Sequence, residues 1–188
     1  MAVMETLVQS NAWMRDVLQA VREVRPDARA GAGVLRDLVW GTLFGSGFEP
    51  GKVRDVDVVF FDSRDVSRAN DDRVTALLSE HRPGIPWEAK NQAAVHTWYA
   101  RKFGGEPVEP LTSIEDAVGT WPETATAVAV RLDARDRIEV CAPLGLDDLL
   151  NGVWRRNPRR ISEEQSQARF RRHDPLTRWP GVRVARSS

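Results

Sequence analysis

Between Arg54 and Asp62 the chain reads RDVDVVFFD. Val58 to Phe61 is an unbroken run of four apolar residues, and a run of this kind bounded by turn residues forms a buried strand. Its mouth carries two carboxylates one residue apart, Asp55 and Asp57. On a strand, residues i and i+2 face the same side, roughly 6–7 Å apart. The two acids therefore project together, while Arg54 points to the opposite face. Like charges so close repel, and the apolar run beside them removes water that would screen the repulsion. A divalent cation relieves both problems. Magnesium takes one or two carboxylates plus substrate phosphates, and two such ions can steady the attacking and leaving oxygens of phosphoryl or nucleotidyl transfer. The competing reading is a wet strand end with no chemistry. Asp62 lies seven residues from Asp55, faces the other way and reads as a strand-end turn residue.

The rest of the chain mixes helical and extended patterns. Leu7, Met14, Val17, Leu18, Val21 and Val24 recur at helical spacing and predict a helix over 5–24, with Pro26 beyond its end. The stretch from Asp27 gives a short extended piece, a glycine turn and a second helix through Leu43; GSGFEPGK is a loop. A helix over 70–81, a short strand over 85–90, a helix over 91–103 and a loop over 104–110 follow. Ser113 caps a short helix with Asp116 three residues on. TATAVAVRL and RIEVCA read as strands joined through DARD in an antiparallel hairpin, and LDDLLNGVW and SEEQSQARFRRH as closing helices. The predicted fold class is α/β (α+β), a mixed sheet flanked by helices rather than a doubly wound one.

Composition bounds the rest. The 188 residues, 41% of them hydrophobic, can build a real core. No apolar run reaches the ~18 residues of a membrane span. The N-terminus does not read as a signal peptide, and the lone Cys141 excludes an internal disulfide or a cysteine metal cluster; a cytoplasmic location is expected. Formal net charge is zero, yet residues 151–188 hold ten arginines against three acids. The expected division is a domain over 1–150 and an Arg-rich helical extension over 151–188 packed on it. The extension reads as a solvated helix face contacting the acidic body, with a polyanion partner as the competing reading.

Two further features bear on the acids. In AGAGVLRD the turn at Gly31–Gly33 opens a helix, and helix N-termini present free N–H groups and a positive dipole end to anions; an ordinary tight turn is the alternative. Glu139 interrupts the strand RIEVCA. It completes a three-carboxylate cluster, as metal ligand or general base, if its strand pairs beside the aspartate strand; otherwise it is a solvent-facing edge residue. Thr124 and Thr126 offer weak nucleoside contacts, and the tryptophans at 87, 98, 121, 154 and 179 are core or groove residues.

A glycine turn, helix, loop and Asp-x-Asp strand in this order resembles the polymerase-beta-type nucleotidyltransferase superfamily. AGAGVLRD followed by DVDVVFFD is similar to the start of tRNA CCA-adding enzymes, with Ala32-Gly33 in place of two glycines before Arg36-Asp37 and a longer loop before Asp55. Together with PWEAKNQAAVH, TSIEDAVGTWPETATAVAVRLD and IEVCAPLGLDDL, the chain resembles a family of small bacterial proteins labelled nucleotidyltransferase. The resemblance implies that fold, Asp55 and Asp57 as metal ligands, Gly31, Gly33, Arg36 and Lys90 toward the nucleotide, and Glu139 as third acid. It also singles out Lys90, which can neutralise a triphosphate, Asn91, read as the N-cap of the next helix, and His96, read as a packing residue. It implies no settled substrate; the function expected on this fold is nucleotidyl transfer with one or two Mg²⁺ ions, from a nucleoside triphosphate to an unknown hydroxyl acceptor, RNA or a small molecule among the candidates. A non-catalytic nucleotide- or RNA-binding module on the same fold is the alternative, and a partner-binding regulator that has lost the chemistry is a third.

Overall fold

The computed structural model describes residues 1–104 and 106–185. Gly105, in the loop expected over 104–110, and 186–188, at the end of the Arg-rich extension, lie outside the described residues. The centre is a five-stranded sheet: β1 (Arg29–Gly31), β2 (Val56–Phe60), β3 (Trp87–Asn91), β4 (Ala129–Leu132) and β5 (Ile138–Cys141), in spatial order β3-β2-β1-β4-β5. β2 and β3 run parallel; the other pairings are antiparallel. The mixed sheet expected from the sequence is present, hairpin included.

Alternation gives the sheet two unlike faces. Val56, Val58 and Phe60 of β2 are fully buried on one, with Ala30, Ala89 and Val130 from neighbouring strands. That face meets α1 (Ala2–Ser10), α2 (Ala12–Val24), α3 (Gly33–Phe44) and α4 (Arg68–His81), whose apolar stripes supply Met4, Val8, Met14, Leu18, Leu35 and Leu78. The opposite face carries a much smaller cluster, Val59, Val118, Ala127, Ala129 and Cys141. In chain order α5 (Val95–Phe103) and α6 (Ile114–Val118) lie between β3 and β4, with α6 capped by Ser113, whose Oγ accepts from the Asp116 amide at 3.0 Å.

The helix expected over 5–24 is two helices. Asn11 takes an extended conformation and its Oδ1 accepts from the Met14 amide at 2.9 Å, so a side chain capping α2 ends α1. The segment after β5 also departs from expectation. α7 (Asp147–Leu150) is a single turn, and Val153–Trp154 becomes β6, parallel to β7 (Arg183–Val184). Between them run α8 (Glu163–His173) and α9 (Pro175–Arg178). α8 opens on a capping box between Ser162 and Gln165. Trp154 and Trp179 pack against Trp40 with ring centroids 6.3 and 5.2 Å away, fixing this segment to α3. No helix among the described residues is long and apolar enough to cross a membrane.

Candidate functional site

Pairing places five residues in one row across the smaller-cluster face: Cys141, Ala129, Gly31, Asp57 and Glu88. Asp57 thus has Gly31 on one side and a second carboxylate, Glu88, on the other. Asp55 lies one residue before β2, on the same side as Asp57 by strand alternation. α3 starts at Gly33, two residues after Gly31.

The electrostatics of the pair are uncompensated. Burial, then the charges of Asp55 and Glu88, push the Asp57 carboxyl up to about 7, with Arg169 and Lys90 pulling it back. Burial also raises Asp55, reinforced by Glu88 and Asp37 and opposed by Arg36 and Arg172. Among the described residues neither aspartate has an ion-pair or hydrogen-bonding side chain to offset the repulsion. The donors form a pair, not a triad: among the described residues no group of three or more His, Cys, Asp and Glu side chains could hold a metal ion. Two hard carboxylates that carry excess negative charge match the donor chemistry of a magnesium site completed by water and substrate phosphate.

Glu88 was not singled out in the sequence, although its signal was there. Trp87, Ala89 and Asn91 are buried and Glu88 and Lys90 are not, a period-two pattern. The helix between β2 and β3 makes a parallel crossover that sets the two strands side by side. Glu88 lies 3.1 Å from Lys90 Nζ, so this lysine neutralises a neighbouring acid within the site.

Glu139 does not join the cluster. Its strand pairs with β4 rather than β2, three strand spacings from the aspartates, about 14 Å. It accepts from Arg131 Nε at 2.6 Å and lies 3.8 Å from Arg29 Nη1. The expectation of a third acid from this strand fails because β1 and β4 lie between.

Gly31 and Gly33 differ in kind. A Cβ on Gly31 would stand 2.7 Å from the Val128 carbonyl and 3.0 Å from the Trp121 ring, so close packing of the β1–β4 pair requires glycine there. A Cβ on Gly33 would meet only Arg36 Nη2, at 3.6 Å, leaving the start of α3 open. Ala32 between them takes φ 57°, a conformation glycine adopts more readily. Arg36 is buried, bonded to Asp37 through Nε at 3.0 Å and Nη2 at 2.8 Å, and stacked over Trp179 at 5.3 Å.

The remaining candidates are structural. The Asn91 side chain accepts from the amides of Asp62 and Ala93 and donates to the carbonyls of Asp62 and Asp65, stapling the end of β2 to that of β3. Thr124 donates to Asp148, and Thr126 to the buried Glu123. His96 Nδ1 is buried without a partner among the described residues. Several arginines after residue 151 contact acids of the body: Arg155 with Asp148, Arg159 with Asp116, Arg178 with Asp37. Another such pair joins a fully buried acid. Arg169 forks onto Glu123, Nε to Oε1 at 2.6 Å and Nη2 to Oε2 at 3.0 Å. No apolar periodicity marks a fork between residues so far apart in sequence.

A solved NMR structure described as revealing a CCA-adding enzyme head domain superposes on the whole chain and on 96% of itself, with TM-score 0.78 and 26% identity. A CCA-adding enzyme in complex with CTP matches at TM-score 0.53 and 15% identity over 96% of this chain and 42% of its own. The Thermotoga maritima CCA-adding enzyme complexed with tRNA matches at 0.53 and 16% identity, over 98% and 42%. The chain thus spans well under half the length of these two enzymes, and they share its fold. No curated protein matches it in sequence. A nucleotidyltransferase family model matches residues 20–184, from α2 to the end of β7, and takes in the sheet, the aspartate pair and the arginine-bearing C-terminal helices alike; the chain belongs to the nucleotidyltransferase family.

Proposed function

We propose that this protein transfers a nucleoside monophosphate from a nucleoside triphosphate to a hydroxyl acceptor, with a divalent cation, Mg²⁺ by its chemistry, held by Asp55 and Asp57. The observation that carries the reading is the uncompensated pair itself: two acids whose proton affinity is raised by burial and mutual repulsion, beside the open start of α3. When bound, the cation supplies charge neutralisation for the triphosphate and for the developing charge on the reacting oxygens.

The chain's own groups do the positioning. Asp55 and Asp57 fix the reacting end of the nucleotide at the mouth of β2. The α3 amides at Gly33 face phosphate oxygens with the favourable end of the helix dipole. Lys90 lends positive charge from β3 beside Glu88. The acceptor oxygen forms a bond to the α-phosphorus as the bond to the bridging oxygen breaks; pyrophosphate leaves and the hydroxyl proton passes to solvent. Glu139 has no part in this reading. The acceptor class includes RNA ends and small-molecule hydroxyls.

The test is a thermal-shift panel of the four nucleoside triphosphates with and without Mg²⁺, followed by pyrophosphate release with candidate acceptors. Metal-dependent stabilisation by a nucleotide, lost in Asp55→Asn and Asp57→Asn, supports the reading. Stabilisation that persists in both variants removes the aspartates from it. Binding with no pyrophosphate release from any acceptor leaves the non-catalytic binding module.

A further inference from the structure

The C-terminal helices bring a second charge imbalance to the same end of the sheet. Four guanidiniums surround one imidazole, His173, at the end of α8: Arg36, Arg169, Arg172 and Arg178. Two protein carboxylates serve three of them. Asp37 takes Arg36 on Oδ1 at 2.8 Å and Arg178 on Oδ2 at 2.9 Å, and Glu123 takes Arg169. Aromatic faces hold the cluster rigid: Arg36 lies 5.9 Å over Trp154 and 5.3 Å over Trp179, and Arg178 lies 4.1 Å over Trp179.

Arg172 is different. Its side chain is exposed, and its partner among the described residues is neutral: Nη2 donates to His173 Nε2 at 3.3 Å. His173 is itself wedged against Trp154, ring centroids 5.8 Å apart. An imidazole can accept this bond only with Nε2 unprotonated. Burial, then Arg36, Arg169, Arg172 and Arg178, hold the imidazole down at about 3, so it is neutral throughout the working range. Arg172 therefore stands oriented but not neutralised, within electrostatic reach of Asp55.

The two imbalances complete each other. Once a divalent cation neutralises Asp55 and Asp57, Arg172 loses the negative charge it faces there. A ligand that satisfies both must carry several negative charges and many acceptor oxygens, and guanidinium forks suit phosphate oxygens. We propose that Arg172, oriented by the Nε2 lone pair of His173, binds the polyphosphate of the nucleoside triphosphate, with Arg172 touching the substrate and His173 acting as a positioning residue. The inference rests on the reading of Asp55 and Asp57 given above, and makes the C-terminal segment part of the substrate site rather than an appendage.

The experiment is calorimetric titration of the full chain with inorganic tripolyphosphate in EDTA, so that the clamp is read without metal. Wild type binds, and Arg172→Gln weakens binding about tenfold or more, the scale of a charged hydrogen bond. His173→Phe keeps the ring contact with Trp154 but loses the acceptor, and weakens binding severalfold; His173→Gln restores an acceptor and recovers most of the affinity. Equal affinity of Arg172→Gln and wild type overturns the proposal, as does absence of wild-type binding. Equal loss in the two His173 variants removes the positioning role. Asp57→Asn separates the two readings: it removes a repelling charge, so metal-free tripolyphosphate binding is retained or tightened while Mg²⁺-dependent nucleotide binding is lost. If Asp57→Asn keeps its Mg²⁺-dependent binding, the metal pair fails and the clamp stands.

Discussion

The two ends of the sheet's less covered face treat acids in opposite ways. At the β5 edge Glu139 sits between Arg131 and Arg29, and Asp133 accepts from Arg137 Nε and from the amides of Arg135 and Arg137, which hold its carboxyl down at about 2. Glu139 and Asp133 are closed off locally by cations and amides. At the β2–β3 edge Asp55, Asp57 and Glu88 crowd together, Lys90 offsets only one of them, and Asp57 is pushed up to about 7. Glu139 at one end and Asp57 and Glu88 at the other are β-sheet carboxylates on one face, so residue type and strand alternation cannot tell them apart. What differs is whether the fold itself supplies the counter-charge. An acid that the fold completes is holding the fold; an acid that the fold leaves incomplete is set for something absent from the chain.

The sharpest way to break this contrast is to create an incomplete acid where a complete one stands. Glu123 is fully buried and depends on the Arg169 fork, with Thr126 adding a hydroxyl. Arg169→Gln should destabilise the protein by about 3–5 kcal/mol, because it leaves a buried carboxylate unpaired; denaturant unfolding measures it. A loss below about 1 kcal/mol would mean that burial of an unpaired acid is cheap here, and the strain assigned to Asp57 would lose its meaning. Asp57→Asn is the reverse case. Turnover should fall by about 10²–10³-fold, the scale felt when one electrostatic element of a site is removed, while the melting temperature at neutral pH rises. Parallel loss of activity and stability would make Asp57 a structural acid like Glu139.

Much of the fold could be read from the sequence, and the site only in part. The strand of Val56–Phe60, the hairpin into Ile138–Cys141 and the Ser113 cap follow from periodicity and capping chemistry, which act over a few residues. Asp55 and Asp57 are legible for the same reason: i and i+2 is a local relation. Their third acidic neighbour is not local. Glu139 and Glu88 both stand on short strands, and only the strand order, β3 beside β2 and β5 at the far edge, decides between them. Arg169, Arg172 and His173 were hidden by a tail whose composition gave charge but no target. Asn11 was passed over because an apolar spacing that continues across a break looks like one helix.

The pH dependence of the aspartate pair sharpens the comparison further. The ordinary carboxyl of Asp57 titrates near 3.8, and the folded one at about 7. Between these values the folded chain keeps a proton that the unfolded chain has shed, so stability falls as pH rises through roughly 4 to 7 and stays reduced above it. His173 acts oppositely: its folded value of about 3 lies below the ordinary 6.5, so its contribution is lost as pH falls through that window. The difference between wild type and Asp57→Asn cancels the histidine and isolates the aspartate. That difference should open by about 1–2 kcal/mol from pH 4 to pH 7.5, discounted for partial exposure, and Mg²⁺ should close it at the upper end.

Smallest of all is the effect expected at the completed edge. Glu139→Gln removes one member of a partly exposed group and should cost no more than about 1 kcal/mol, with Mg²⁺-dependent nucleotide binding and turnover at wild-type level. Arg131 then stands two strands from the aspartate strand, and Arg29, on the adjacent strand, keeps Glu115 at 3.7 Å as a partner for its charge. If Glu139→Gln instead lowers turnover while leaving nucleotide affinity unchanged, the far edge takes part in acceptor handling. The open hollow beside it, lined by Glu5, Gln9, Asp133 and Arg137, would then be where the acceptor lies, and local charge closure would no longer separate structural acids from functional ones.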